Sequence, residues 1–278
     1  MQANRKHENR AVDDGSILQL QAVSKVFEKS NVYSLKEISF SVKKNEFLCI
    51  LGPNGCGKTT LLNLIAGFKP FFPPSQGDIR VDGQFIDGPG SDRVMVFQEE
   101  SLFPWLTVRK NIEFGLKIKG VSKPERQAIA DCYLKLMGVE EFKDKHPFEL
   151  SGGMKQKTEL ARAFALKPKI LLLDEPFAKV DAMTRYNLQE ELLRVAELEK
   201  STVIFVTHSV QEAVFLGDSI YVMTKRPGAI LEKIDVNIPK PRTLSNTVGT
   251  TKFSALVGHL MGLSGVRGFA ENPSTRID

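Results

Sequence analysis

Apolar residues along this chain fall into distinct rhythms. Near the start, Leu18, Leu20 and Ala22 alternate with polar neighbours, and a second alternating stretch follows around Ile38–Val42. A period of two is that of a strand with one buried face and one wet face. Four other runs are unbroken: Phe47–Leu51 (FLCIL), Val94–Phe97 (VMVF), Ile170–Leu173 (ILLL) and Val203–Val206 (VIFV). Short continuous runs predict strands buried on both faces, as in a parallel sheet covered by helices. Elsewhere the spacing turns helical: over Thr60–Gly67, over about Val108–Gly138 with a break at Ser122–Pro124, and after Gly152 until Lys167–Pro168. Together these elements predict an α/β fold with a mostly parallel core sheet.

The rest is punctuation. Pro70–Asp78 (PFFPPSQGD) holds three prolines and cannot be helical. Phe71 and Phe72 there either tuck under the loop or form a contact surface; the tucked placement is the expectation. Residues 1–16 read as a polar, mobile lead-in. Beyond Ile220 the chain returns to short strands and Pro/Gly turns. The tail, 243–278, is polar, with one candidate amphipathic helix near Phe253–Leu263 and no assigned role.

Composition changes this picture little. The chain has 278 residues, 42% hydrophobic and 26% charged, as one large α/β domain or two modest ones would. The net charge of +5 is too mild to claim nucleic acid as a partner. The three cysteines, Cys49, Cys56 and Cys132, form no C-x-x-C pair and fit a reducing compartment. No apolar run approaches the ~20 residues of a membrane helix, and the first residues lack the apolar core of a secretory signal.

The candidate chemistry lies where apolar runs end. After FLCIL comes Gly52-Pro53-Asn54-Gly55-Cys56-Gly57-Lys58-Thr59, followed by Thr60, which fits G-x-x-x-x-G-K-[ST]. Its glycines let backbone N–H groups wrap a polyphosphate, Lys58 reaches the outer phosphates, and the Thr59 hydroxyl binds Mg²⁺. The strand before it and the helix after it are the context this motif needs. The loop amides and Lys58 are expected to lower the pKa of the Cys56 thiol. ILLL ends in Asp174-Glu175: Asp174 would hold Mg²⁺ through water, and Glu175 would take a proton from the attacking water. VIFVT ends in His208 and VMVF in Gln98. A lone His or Gln is ordinarily a satisfied surface residue. Four polar residues that each end a separate run are different, because parallel strands bring all four ends to one edge.

One motif is left over. Leu150–Lys157 (LSGGMKQK) opens a helix with Ser151, Gly152 and Gly153, a second place for a phosphate. The first nucleotide is already served. This grip therefore points to an ATP held by a second copy of the chain, related by a two-fold axis.

In this order and context the motifs resemble the ATP-binding cassette of ABC transporters, from about Leu18 to Arg242. Gly52–Thr59 is similar to the Walker A loop, Gln98 to the Q-loop, Leu150–Gln156 to the signature, Ile170–Glu175 to Walker B, Asp181 to the D-loop and His208 to the switch histidine. Phe27 stands where an aromatic stacks on adenine. The resemblance implies a P-loop ATPase core over 17–242, an antiparallel β-subdomain, and a helical subdomain at about 99–167 carrying the signature. It implies ATP and Mg²⁺ as cofactors, with Thr59, Gln98 and Asp174 toward the metal, and Glu175, His208 and Gln98 as catalytic residues.

Gly88–Gln98, Phe103–Val108 (FPWLTV) and Lys225–Arg242 resemble the nitrate/sulfonate/taurine importer branch, with Trp105 and the Arg226–Gly228 turn as the telling marks. That branch implies an ATPase on the cytoplasmic face of the membrane, energising uptake of a small anion. Its partners would be integral membrane permease subunits, a second ATP-binding subunit (a copy or a paralogue) and, indirectly, an extracytoplasmic solute-binding protein. By resemblance Trp105 lies beside the groove for a coupling helix of the permease, though a core position is equally open. Three positions depart from the pattern: Lys179 in the D-loop, Lys157 in place of a common Arg, and the long Pro70–Gly77 segment. A soluble ABC-type ATPase lacks support, since no sustained heptads or second Walker A occur. A binding-only regulator is disfavoured by Glu175 and His208.

Overall fold

The computed structural model describes residues 15–27 and 32–266, with side chains to residue 263. The expected lead-in lies outside these residues apart from Gly15 and Ser16. Among the described residues the first elements are β1 (Ser16–Phe27), β2 (Val32–Lys43) and β3 (Phe47–Leu51), then α1 (Lys58–Ala66). Strands β4 (Gln76–Val81), β5 (Gln84–Phe85) and β6 (Arg93–Val96) precede a helical block of α2 (Val108–Ile118), α3 (Lys123–Leu136) and α4 (Gly152–Ala165). The second half alternates β7 (Ile170–Asp174), α5 (Ala182–Leu198), β8 (Thr202–Thr207), α6 (Val210–Leu216), β9 (Ser219–Met223) and β10 (Ile230–Asp235). It closes with α7 (Leu244–Thr247) and α8 (Thr251–Val266).

Two sheets result. One is antiparallel, in the order β2-β1-β4-β5; the other has six strands in the order β10-β9-β3-β8-β7-β6, parallel except for β10. Three of the four unbroken apolar runs become its centre, with every residue of β3, β7 and β8 buried. The fourth, Val94–Phe97, is not buried on both faces. It falls on the edge strand β6, where only Val96 is buried, and Phe97 just past it is exposed, because no described strand pairs on its outer side. Both faces are covered, and the alternation of side chains divides the core in two. Phe47, Cys49 and Leu51 face the helices α2–α6, whereas Leu48 and Ile50 face α1 and the antiparallel sheet.

The alternation in β1 is broken where the sequence suggests it continues. Register shifts between Leu20 and Val23, Ala22 has φ 49°, and its side chain is exposed. This bulge puts Val23 rather than Ala22 on the buried face. Helix starts are set by local caps. Ser151 Oγ accepts from Met154 N at 3.4 Å, Asp181 from Thr184 N at 3.0 Å, and Ser209 from Glu212 N at 3.3 Å. Lys157 ties α4 to α5 through Glu191 at 2.6 Å, which gives that departure from the family pattern a structural role.

After β10 the chain is held down by Arg242. Its guanidinium, buried, donates to the carbonyls of Phe215 (3.1 Å), Gly217 (2.6 Å) and Ile238 (3.1 Å). In the tail, α8 packs on α6 and buries Phe253 and Leu260.

Candidate active site

Strand register makes the site. Leu51 pairs with Thr207, Val206 with Asp174, and Leu173 with Val96, so β3, β8, β7 and β6 end nearly level. Just past those ends come the Gly52 loop, His208, Glu175 and Gln98. They line one cleft of about 580 Å³ together with Phe27, Asn54, Lys58 and Thr59.

The loop from Gly52 to Gly57 is packed rather than loose. Gly57 has φ 108°, and a Cβ there would lie 2.7 Å from Leu35 Cδ2 and 3.0 Å from the Ser34 carbonyl. Only glycine allows that turn and approach. Lys58, the first residue of α1, is 5% exposed and folds back to donate to the carbonyls of Gly52 (2.8 Å) and Pro53 (3.1 Å). Its ammonium is also 3.4 Å from Glu175 Oε1. Thr60 meets Ser34 Oγ at 3.2 Å, which joins α1 to β2.

Glu175 is held in a strained backbone, φ 43°, by its N–H bond to Val206 O at 3.0 Å. Its Oε2 accepts from His208 Nδ1 at 2.8 Å. Burial pushes the Glu175 carboxyl up, but the His208 hydrogen bond and the Lys58 charge together outweigh it, so its pKa ends below the ordinary value. The same bond raises His208 against the opposing effect of its burial. Asp174, buried beneath, accepts from Thr59 Oγ1 at 3.2 Å; burial raises its pKa above the ordinary value.

Some expectations are corrected. Cys56 is not an activated thiol: it is 1% exposed, packed into the core with Met223 and Leu35, and burial raises its pKa despite Lys58. It serves the loop through its backbone. Phe71 does not simply tuck away; it is half-buried and lines the cleft. Of the two placements left open for Trp105, the structure takes the exposed one: it is 70% exposed beside Phe103.

Ser151, Gly152, Gly153 and Asp181 are not brought into the cleft. They form a separate cluster at the starts of α4 and α5, with Ser151, Gly152 and Asp181 exposed and Gly153 half-buried, where a Cβ on Gly153 would lie 2.7 Å from Thr184 Cγ2.

Sequence reasoning missed two contributors. Arg226 lines the cleft, and Gly228 lies against the loop, where a Cβ would come 2.1 Å from the Cys56 carbonyl. Gly228 also donates to Ser34 O at 2.9 Å and accepts from Lys36 N at 2.9 Å. The Arg-Pro-Gly turn was the available signal, since a glycine fixed beside a proline often marks a close backbone approach.

Known proteins are similar to this chain in sequence and fold. The family model described as ABC transporter matches residues 35–178. The chain is 45% identical over 224 residues to the nitrate import ATP-binding protein NrtD of Synechocystis, covering 80% of this chain and 83% of that one. It is 45% identical over 240 residues to the bicarbonate transport ATP-binding protein CmpC of Synechocystis, covering 84% of this chain and 36% of that longer one. Among solved structures, the dimeric ATP-binding cassette MJ0796 bound to ADP and phosphate superposes with a TM-score of 0.68 at 30% identity, over 80% of this chain and all of that one. The parallel sheet, the loop at its edge and these relatives together make this chain a member of the ABC transporter family, an ATP-binding and ATP-hydrolysing subunit.

Proposed function

We propose that the chain binds MgATP in the cleft, closes on it as a dimer, and drives uptake of a small inorganic anion through separate membrane subunits. The convergence of Lys58, Gln98, Glu175 and His208 on one cleft carries the chemical part of this reading. The nitrate and bicarbonate names of two relatives support the class of solute.

Each residue has a role the geometry permits. The loop amides and the N-terminus of α1 receive the phosphates. Lys58, with three donors, exchanges its carbonyl partners for phosphate oxygens. Glu175, kept ionised by His208 and Lys58, takes the proton of the attacking water. His208 orients that carboxylate and, lining the same cleft, would meet the terminal phosphate there. Gln98, at the end of the edge strand, reports the occupancy of the cleft to the segment after it.

The Thr59 hydroxyl and the buried Asp174 carboxylate, 3.2 Å apart, are hard oxygen donors that suit Mg²⁺. That ion binds by one or two carboxylates plus substrate phosphates, so a larger protein cluster is not needed. When bound it neutralises charge on the phosphates.

The membrane side is supported by a second surface. Beyond Gln98, Phe103 packs on Phe114 at 4.5 Å and on Trp105 at 5.5 Å, over an apolar hollow of about 290 Å³. Arg162 of α4 donates to Ser101 O at 2.8 Å and ties this segment to the helix that begins with Ser151. A permease helix seated here would link the cleft to the signature end. No described helix is long and apolar enough to cross a membrane, and in this proposal the pore is supplied by the separate membrane subunits.

The test is ATPase activity of the chain reconstituted in vesicles with its membrane subunits and solute-binding protein. Nitrate or bicarbonate is expected to stimulate hydrolysis. Stimulation only by an uncharged or cationic solute would reject the anion reading.

A further inference from the structure

The segment between α1 and β4 holds two phenylalanines side by side, Phe71 and Phe72. Only one of them reaches the cleft. The Phe71 ring lines the cleft with Phe27, and the two stand edge to face, 5.9 Å apart at 83°. Two rings at right angles make an inside corner with one wall for a flat face and one for an edge.

The corner is built, not incidental. Phe72 N donates to Phe68 O at 2.8 Å, and Ser75 N to Ser24 O at 2.8 Å. Val26 N donates to Ser75 Oγ at 3.0 Å. Lys25, buried, donates to the Pro73 carbonyl at 2.8 Å. The loop is thus stitched to the end of β1 that carries Phe27, and the two rings are held as a unit. A half-buried Phe is commonly a satellite of the core, and Phe71 does rest on the core beneath α1. Its other side faces the same cleft as Lys58, which core packing alone does not require.

We propose that Phe71 is a second base-contacting residue and sets nucleotide preference. Phe27 stacks on the face of the base while Phe71 closes its far edge. A two-ring purine touches both walls, and a one-ring pyrimidine cannot. This rests on the reading that the cleft binds ATP with its base on Phe27.

The experiment measures binding of ATP, CTP and inorganic tripolyphosphate to the full chain and to Phe71→Ala, Phe71→Tyr and Phe72→Ala. Phe71→Ala should weaken ATP about tenfold, within the range of aromatic–base contacts, and should narrow the gap between ATP and CTP. Tripolyphosphate binding should stay within about twofold, because it makes no base contact. Phe71→Tyr keeps the ring and should keep ATP affinity, and Phe72→Ala should change little. Unchanged ATP affinity in Phe71→Ala would overturn the proposal. So would an equal loss of ATP and tripolyphosphate, which would mean that the loop merely props the phosphate site. Should Phe71→Ala fail to fold, Phe71→Leu, close in volume but without a ring, carries the same expectations. If the unaltered chain bound ATP no better than tripolyphosphate, the base-on-Phe27 reading itself would fall, a result distinct from any effect of Phe71.

Discussion

The loop at Gly52–Thr59 and the helix start at Ser151–Gly153 are both phosphate grips by sequence, yet they are opposites in the fold. The first is interlocked. Lys58 is 5% exposed with three partners, Gly57 touches β2, and Gly228 presses on the Cys56 carbonyl. The second faces outward. Ser151 and Gly152 are exposed, a Cβ on Gly152 would meet nothing within 4 Å, and the cleft does not include them. A site that must hold nucleotide through a cycle is preorganised by its own chain. A site completed by another molecule stays open. The contrast supports a half-site on each edge of the chain, with the signature helix serving a second copy.

The largest expected effect falls on the interlocked side. Glu175→Gln should slow hydrolysis by roughly 10²–10⁴ while ATP binding persists, because the amide cannot accept the proton. Single-turnover hydrolysis beside equilibrium binding checks both halves. Near-normal turnover would remove Glu175 from the role. Next is Gly228→Ala. The added methyl meets a backbone carbonyl that cannot yield cheaply, so a cost of about 1–3 kcal/mol is expected, with weaker ATP binding. A melt and a titration measure the two together. By contrast Gly152→Ala, in open space, should leave the melt and the chain's own ATP binding nearly unchanged.

A smaller effect tests the electrostatics. His208, raised by Glu175, adds stability that is full below its ordinary pKa and is lost as pH rises through the raised value. Glu175, lowered by His208 and Lys58 against its burial, adds stability that is full above its ordinary pKa and is lost as pH falls through the lowered value. The pair therefore contributes fully between the ordinary carboxylate and imidazole ranges. In an NMR titration the His208 midpoint should fall in Glu175→Gln, and an unmoved midpoint would show that the 2.8 Å bond does not govern it.

Much of the interlocked side was legible in sequence. FLCIL, ILLL and VIFV stand out because strands buried on both faces need unbroken apolar residues, and the polar residues at their ends then share an edge. Other parts were hidden for physical reasons. QGDIRV forms β4 although its first three residues are exposed, since pairing with β1 rather than burial makes it a strand. The bulge at Ala22 depends on cross-strand register that no local pattern encodes. Cys56 looks activated beside a lysine until its side chain is found in the core. Nothing in the local pattern marks Arg242 as buried, because the Phe215 and Gly217 carbonyls that accept from it and the Asp218 carboxylate 3.7 Å away come from a segment distant in sequence. Phe71 meets Phe27 only because the loop folds back along β1.

The half-site account is tested most directly by ATP-driven dimerisation of Glu175→Gln with and without Gly152→Asp, followed by sedimentation. Gly152 is the position to change, because a side chain on Gly153 would strike Thr184 of the same chain. A carboxylate at the open helix start would stand where the partner's phosphate must sit, and like charges at that distance repel strongly. The account predicts that Glu175→Gln forms a dimer on ATP, and that the double variant binds ATP equally well as a monomer but does not dimerise. If Gly152→Asp instead abolished ATP binding by the monomer, or left the dimer intact, the signature helix would not serve the partner's nucleotide.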